Sequence, residues 1–274
     1  MYKQNCQIVE NRNIAPGHWV LTLRSAEIAR HAKPGQFVQL LCADGSLDPL
    51  LGRPFSFLDV AAGHFSILYQ VVGKGTELLS KAGKGESLRV LGPLGNGFAS
   101  HKPLSTVILV GGGVGIPPLY HLAKFWIKNH AVKKENIHVF LGARNKSLLL
   151  CEKDFQKLGV KVRVATDDGS KGQKGFITPT VAQYFSQSTD RGAVRLAGST
   201  PRIYACGPTP MLKAVSVLSV QFKIPSEVSV EVPMACGFGA CLGCAIKVKA
   251  DAGHRFAIAC TEGPVFQGSE ILWD

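Results

Sequence analysis

Eight cysteines occur in this chain of 274 residues, and four of them, Cys236, Cys241, Cys244 and Cys260, fall within 25 residues of one another. Their spacing is C-x4-C-x2-C-x15-C, the plant-type pattern in which four thiolates hold the two irons of a [2Fe–2S] cluster. Gly237, Gly239 and Gly243 let the intervening loop fold tightly and turn N–H groups toward inorganic sulfide. A four-cysteine zinc site is the alternative, although zinc knuckles more often use two C-x2-C pairs and one is present here. Cys6, Cys42, Cys151 and Cys206 stand singly, as small buried apolar cysteines do.

Three further segments have types and spacing suited to anionic ligands. Arg53-Pro54-Phe55-Ser56 opens a predicted strand. Its arginine can pair with a pyrophosphate in bidentate fashion and its serine can reach a flavin ring nitrogen; an ordinary strand start would read the same way. Val72-Gly73-Lys74-Gly75-Thr76 is a glycine loop opening onto a helix, whose terminal N–H groups favour phosphate; a hairpin turn with a threonine cap is the plain alternative. Gly111-Gly112-Gly113-Val114-Gly115-Ile116-Pro117-Pro118 joins a strand to a helix. Ile116 stands where G-x-G-x-x-G needs glycine, and no acidic residue ends the next strand near Leu141. It is a dinucleotide loop of a different lineage, with prolines suited to the first helical turn.

These segments need scaffolds, and the periodicity of the chain supplies two. The first hundred residues read as six short strands (Cys6–Val9, His18–Leu23, Gln36–Leu41, Phe55–Val60, Phe65–Val72, Ser87–Leu91) with one helix at Thr76–Lys81, which predicts a small antiparallel β-barrel. From Thr106, apolar strands at Val107–Val110, Ile137–Leu141, Val160–Ala165 and Arg202–Ala205 alternate with helical patterns at Pro118–Asn129, Leu149–Leu158, Pro179–Ser186 and Thr209–Phe222. That alternation predicts an α/β domain with a parallel sheet. The expected division is 1–102 barrel, 103–225 α/β domain and 226–274 cysteine-rich segment.

Composition narrows the function. With 46% hydrophobic residues the chain has enough apolar surface to fold, and its length can bury a core without disulfides. The net charge of +12 is concentrated between 106 and 225, where 17 basic residues face 6 acidic ones. Those cations are scattered and no single-strand aromatic motif accompanies them, so an anionic small ligand is expected and nucleic acid is not. The longest uncharged stretch, 103–123, holds four glycines and three prolines, which argues against a membrane span. The polar Met1–Gln7 start lacks an apolar signal-peptide core, so a soluble cytoplasmic location is expected.

The order of the segments resembles the ferredoxin–NADP reductase superfamily. Within it the chain is similar to the electron-transfer subunits of type B (NAD-dependent) dihydroorotate dehydrogenases. The matching segments are RPFSF (53–57), GKGT (73–76), GPLGNGF (92–98), GGGVGIPPLYHLAK (111–124), TDDGS (166–170), YACGP (204–208), MACGFGACLGCAIKV (234–248) and ACTEGPVF (259–266). The resemblance implies that Arg53, Pro54, Phe55, Ser56, Leu68, Tyr69, Gln70, Gly75 and Thr76 contact FAD. It implies that Gly111, Gly112, Gly113, Gly115, Cys206, Gly207 and Pro208 receive NAD, and that Cys236, Cys241, Cys244 and Cys260 hold the [2Fe–2S] cluster. Phe55 stands where superfamily members often carry tyrosine, so stacking is kept and a phenolic hydrogen bond is lost.

The implied activity is electron relay in pyrimidine biosynthesis. A partner catalytic subunit with FMN oxidises dihydroorotate, and electrons reach NAD⁺ through the cluster and FAD in a dimer of heterodimers. The alternatives are a related subunit serving sulfide dehydrogenase, hydrogenase or a ferredoxin-dependent transhydrogenase, and a zinc-binding interaction module. Arg144 and Lys146 are placed to reach a 2′-phosphate but read equally as solvated cations, leaving NAD against NADP open.

Overall fold

Residues 1–43, 48–99, 104–190 and 200–273 are described in the computed structural model of the chain. They divide into two compact units: 1–98 with 232–246 and 256–264, and 99–231 with 247–255 and 265–274. Residues of the 226–274 segment fall in both units. The boundary expected at 102/103 lies outside the described residues.

The first unit is built on β1 (Tyr2–Ala15), β2 (His18–Arg24), α1 (Ala26–His31), β3 (Phe37–Leu41), β4 (Arg53–Ala61), β5 (His64–Gln70), α2 (Lys74–Lys81) and β6 (Ser87–Leu94). The six strands close into an antiparallel barrel in the order β1-β2-β5-β4-β3-β6. Residues two apart along each strand fill it: Cys6 and Ile8, Leu21 and Leu23, Val38 and Leu40, Phe65, Ile67 and Tyr69, Leu88 and Val90. Each such apolar side chain contributes about 1.5–3 kcal/mol when fully buried. A slip of one residue would turn that set outward, so the pattern sets the register. The periodicity does not reveal α1, which is too short to show a repeat, but Ser25 Oγ caps it by accepting from the Ile28 N–H at 3.2 Å.

The second unit contains β7 (Leu104–Gly112), α3 (Ile116–Lys128), β8 (Ile137–Ala143), α4 (Glu152–Lys157), β9 (Lys161–Thr166), β10 (Gln173–Lys174), α5 (Ile177–Asp190), β11 (Thr200–Cys206), α6 (Thr209–Gln221) and β12 (Ser226–Ser229). Between β12 and the last strand of the unit, β13 (Ala245–Ala250) and β14 (Gly253–Ile258) form a two-stranded sheet of their own. With β15 (Val265–Gln267) the larger sheet runs β10-β9-β8-β7-β11-β12-β15 and is parallel except where β15 meets β12. Val107 to Val110 are all fully buried, as expected for a strand covered on both faces. The helix expected at 149–158 is cut back because Cys151 adopts the left-handed region (φ 58°), so α4 starts only at Glu152. No described helix is long and apolar enough to cross a membrane.

Candidate functional site

The cysteine loop belongs to the barrel unit. Gly237 (φ 79°), Gly239 (φ 91°) and Leu242 (φ 57°) take left-handed backbone, which wraps the chain around its own sulfur atoms. The Cys241 N–H donates to Cys236 Sγ at 3.5 Å, and the Cys260 N–H donates to Cys244 Sγ at 3.4 Å. Each bond ties the backbone of one cysteine to the sulfur of another, 241 to 236 and 260 to 244. Four cysteines in C-x4-C-x2-C-x15-C spacing, on a loop that turns backbone N–H groups toward sulfur, fit a two-iron cluster.

Protonation is unequal across these cysteines. Burial pushes the Cys236 thiol up, but the N–H groups of Phe238 and Cys241, the Cys241 thiol and the Ala240 N–H outweigh it and bring the thiol down to about 6. Burial pushes Cys260 up to about 12, with the Cys244 thiol beside it adding to the rise. Ligation needs thiolates, so filling the site expels protons.

Two residues outside the cysteine motif meet this loop from the rest of the barrel unit. The Asn96 side-chain amide donates to the carbonyls of Thr261 (2.9 Å) and Glu262 (3.0 Å), and its backbone N–H donates to the Gly263 carbonyl at 2.6 Å. Gln39, on β3, touches Gly237: a Cβ there would stand 2.5 Å from Gln39 Cγ. Sequence reasoning missed both as site residues. The one signal was Gln39 itself, a polar residue inside the apolar run from Phe37 to Leu41.

At the barrel mouth, Arg53 and the glycine loop come together. A Cβ on Gly75 would stand 3.5 Å from Arg53 Nε and Nη2 and from Cys42 Sγ. Arg53 Nη1 donates to the Leu51 carbonyl at 2.6 Å, which anchors the turn and leaves other guanidinium N–H groups directed toward the loop. Thr76 Oγ1 accepts from the Val72 and Gly73 N–H groups (2.9 and 3.2 Å) and donates to the Gly73 carbonyl (2.9 Å). That exhausts the hydroxyl, so Thr76 has only its backbone to offer a ligand. The first rung of α2 is Glu77 N–H to Gly73 C=O, which makes the N–H groups of Lys74, Gly75 and Thr76 helix-terminal. A guanidinium beside helix-terminal N–H groups fits a pyrophosphate.

The other barrel residues divide by face. Tyr69 points into the core, with its hydroxyl donating to Asn11 Oδ1 at 3.1 Å, so outward side-chain contact falls to Leu68 and Gln70. Phe55 packs edge-on against Tyr69 with centroids 5.9 Å apart, and shares the strand face of Arg53; Pro54 and Ser56 alternate to the other.

In the α/β unit the two nucleotide motifs meet. β7 has β8 on one side and β11 on the other, so the sheet order reverses there, and the carboxyl ends of β7 and β11 flank that switch point. Gly111 lies opposite Cys206 in the register of these strands. A Cβ on Gly115 would stand 2.4 Å from the Gly207 nitrogen, and one on Gly112 would stand 3.3 Å from Pro208 Cδ. Burial pushes the Cys206 thiol up to about 12, so it stays protonated. Close backbone approach beside the N-terminus of α3 fits a dinucleotide pyrophosphate.

A flavin barrel and a nicotinamide-type α/β unit define the ferredoxin–NADP reductase class of fold. Residues 231–272 match the iron–sulfur cluster binding domain of dihydroorotate dehydrogenase B, and residues 109–217 match the oxidoreductase NAD-binding domain. The chain is 39% identical over 263 residues to the dihydroorotate dehydrogenase B (NAD(+)) electron transfer subunit of Desulforamulus reducens, covering 95% of each. It is 38% identical to the subunit of the same name from Caldanaerobacter subterraneus, covering 99% of each. A solved NADH-dependent reduced ferredoxin–NADP oxidoreductase superposes with a TM-score of 0.81 at 31% identity, over 98% of this chain and 90% of that one. The cytochrome b5 reductase domain of Ulva prolifera nitrate reductase shares the fold at a TM-score of 0.64 and 18% identity, over 81% and 94%. The chain belongs to the family of electron transfer subunits of NAD-dependent dihydroorotate dehydrogenase B.

Proposed function

We propose that this chain accepts electrons from an FMN-containing catalytic subunit that oxidises dihydroorotate and delivers them to NAD⁺, in a cytoplasmic dimer of heterodimers. The observation that carries the reading is the loop of four cysteines whose own N–H groups turn onto sulfur, 241 onto 236 and 260 onto 244, and which Asn96 bonds to the barrel. Cys236 and Cys241 would hold one iron, Cys244 and Cys260 the other. Arg53 and the N-terminus of α2 would grip the pyrophosphate of FAD, with Pro54, Phe55, Ser56, Leu68 and Gln70 along its length and Tyr69 supporting Phe55 from the core. Gly111 to Gly113, Gly115 and Cys206 to Pro208 would receive NAD. Bound flavin supplies exchange between one-electron and hydride chemistry, which iron–sulfur and nicotinamide cannot perform with each other directly. The three parts of the chain would be a barrel (1–102), a nucleotide domain (103–225) and a cluster segment (226–274).

The test is Cys260→Ser in the assembled complex, which replaces a buried thiolate ligand by a poorer one. Dihydroorotate-dependent NAD⁺ reduction should be lost, while NADH-driven reduction of a two-electron acceptor persists with FAD content unchanged. Full partner-dependent turnover without iron would refute the relay. A second reading, a ferredoxin-linked subunit, draws on the 31% identity to the ferredoxin–NADP oxidoreductase. Support of NAD⁺ reduction by reduced ferredoxin and not by the dihydroorotate-oxidising partner would select it.

A further inference from the structure

Gln39 lies at the middle of β3, between Val38 and Leu40, which both point into the barrel core. Its side chain therefore leaves the barrel on the outer face. In the ladder it stands opposite Pro54 of β4 on one side and Leu91 of β6 on the other. It is only 5% exposed, yet neither its Oε1 nor its Nε2 has a hydrogen-bond partner. Buried carboxamides are almost always paired, and one left with two donors and an acceptor unused points to a group the polypeptide does not itself provide.

Its neighbours say which group. Oε1 is 2.9 Å from where a Cβ on Gly52 would stand, and Nε2 is 2.9 Å from where a Cβ on Gly237 would stand. Gly52 precedes Arg53, and Gly237 follows Cys236. The carboxamide thus fills the space beside the first cysteine ligand, and any side chain at 237 would collide with it. Positive φ at Gly237 adds a second reason for glycine there. Donors beside a thiolate-held cluster pair naturally with sulfur, and hydrogen bonds to sulfur set its potential.

We infer that Gln39 is a positioning residue for the cluster: its carboxamide N–H donates to sulfur on the Cys236 side and raises the potential at which the cluster takes an electron. This rests on the two-iron reading of the four cysteines. It adds a barrel residue, nearly two hundred positions upstream of the ligands, to the set that tunes them.

The experiment compares wild type, Gln39→Leu and Gln39→Met in the full complex, reading iron per chain, the cluster midpoint by redox-monitored EPR and the flavin midpoint separately. Leucine and methionine keep bulk and remove both donors. The expected result is full iron in all three and a cluster midpoint in both variants shifted negative by about 59 mV, a tenfold change in the one-electron equilibrium. The flavin midpoint should not move. Full iron with an unmoved cluster midpoint overturns the inference alone, as does an equal shift of both midpoints. Loss of iron from both variants would make Gln39 a support of the loop and also overturns it. Absence of iron from the wild type overturns the cluster reading itself.

Discussion

Asn96 spans 165 residues of sequence to reach Thr261, its side-chain amide bonding the carbonyls of Thr261 and Glu262 together. These carbonyls belong to the turn just after Cys260, so a barrel-side residue sets where the fourth thiol stands. A net hydrogen bond is worth about 0.5–1.5 kcal/mol. Asn96→Ala should therefore lower stability by roughly 1–2 kcal/mol and reduce iron per chain while FAD content holds. Chemical denaturation and iron analysis check both, and an unchanged iron content would remove Asn96 from the cluster's support.

Arg53→Ala should weaken FAD retention far more than Arg144→Ala. Loss of a charge-assisted contact costs about 1.5–3 kcal/mol, hence roughly ten- to hundredfold in affinity. Flavin content after extensive dialysis is the measurement, and equal occupancy in the two variants would refute the assignment.

Gly115→Ala should impair nucleotide binding with the flavin intact. The new methyl would stand 2.4 Å from the Gly207 nitrogen, and that neighbour is backbone, which cannot rotate away. The ends of β7 and β11 would have to part. NADH affinity by titration should fall at least about tenfold, some 1.4 kcal/mol; wild-type affinity would contradict the close-approach argument.

His138 makes the α/β unit sensitive to acid. Burial, then the charges of Lys161 and Arg163, lower it to about 4, and its Nδ1 lies 3.3 Å from Arg163 Nη1, an arrangement suited to the neutral ring accepting. The folded state resists a proton that the unfolded chain takes up near pH 6.5. The stability conferred by His138 is thus fully present above about pH 6.5 and is lost as pH falls toward 4. His138→Phe keeps an aromatic ring against Tyr184 and should flatten the urea midpoint across that window; an unaltered slope would exclude His138 as its source.

Much of this arrangement is legible in residue type and spacing alone. The period-two burial of Leu21, Leu23, Phe65, Ile67, Leu88 and Val90 follows from their apolar alternation, and the continuous apolar run of β7 marks a strand covered on both faces. Four clustered cysteines with plant-type spacing state their own chemistry. What could not be read is where the C-terminal segment docks. Asn96 and Gln39 act on partners far along the chain, and no local propensity marks a contact of that range. Tyr69, expected from the resemblance to contact FAD, points into the core with its hydroxyl committed to Asn11, a partner 58 residues away that no local pattern marks.

Return of residues 232–246 and 256–264 to the barrel unit bears on the order of events during translation. The strands of the barrel leave the ribosome early, whereas the segment that completes the unit follows more than a hundred residues later, after most of the sheet of the other unit. A chain made only as far as Glu231 lacks the later residues that meet Gln39 and Asn96. All four clustered cysteines lie in that last stretch, and long-range pairing of this kind slows folding. A stop codon anywhere between Glu231 and Cys260 would remove at least one of the four clustered cysteines.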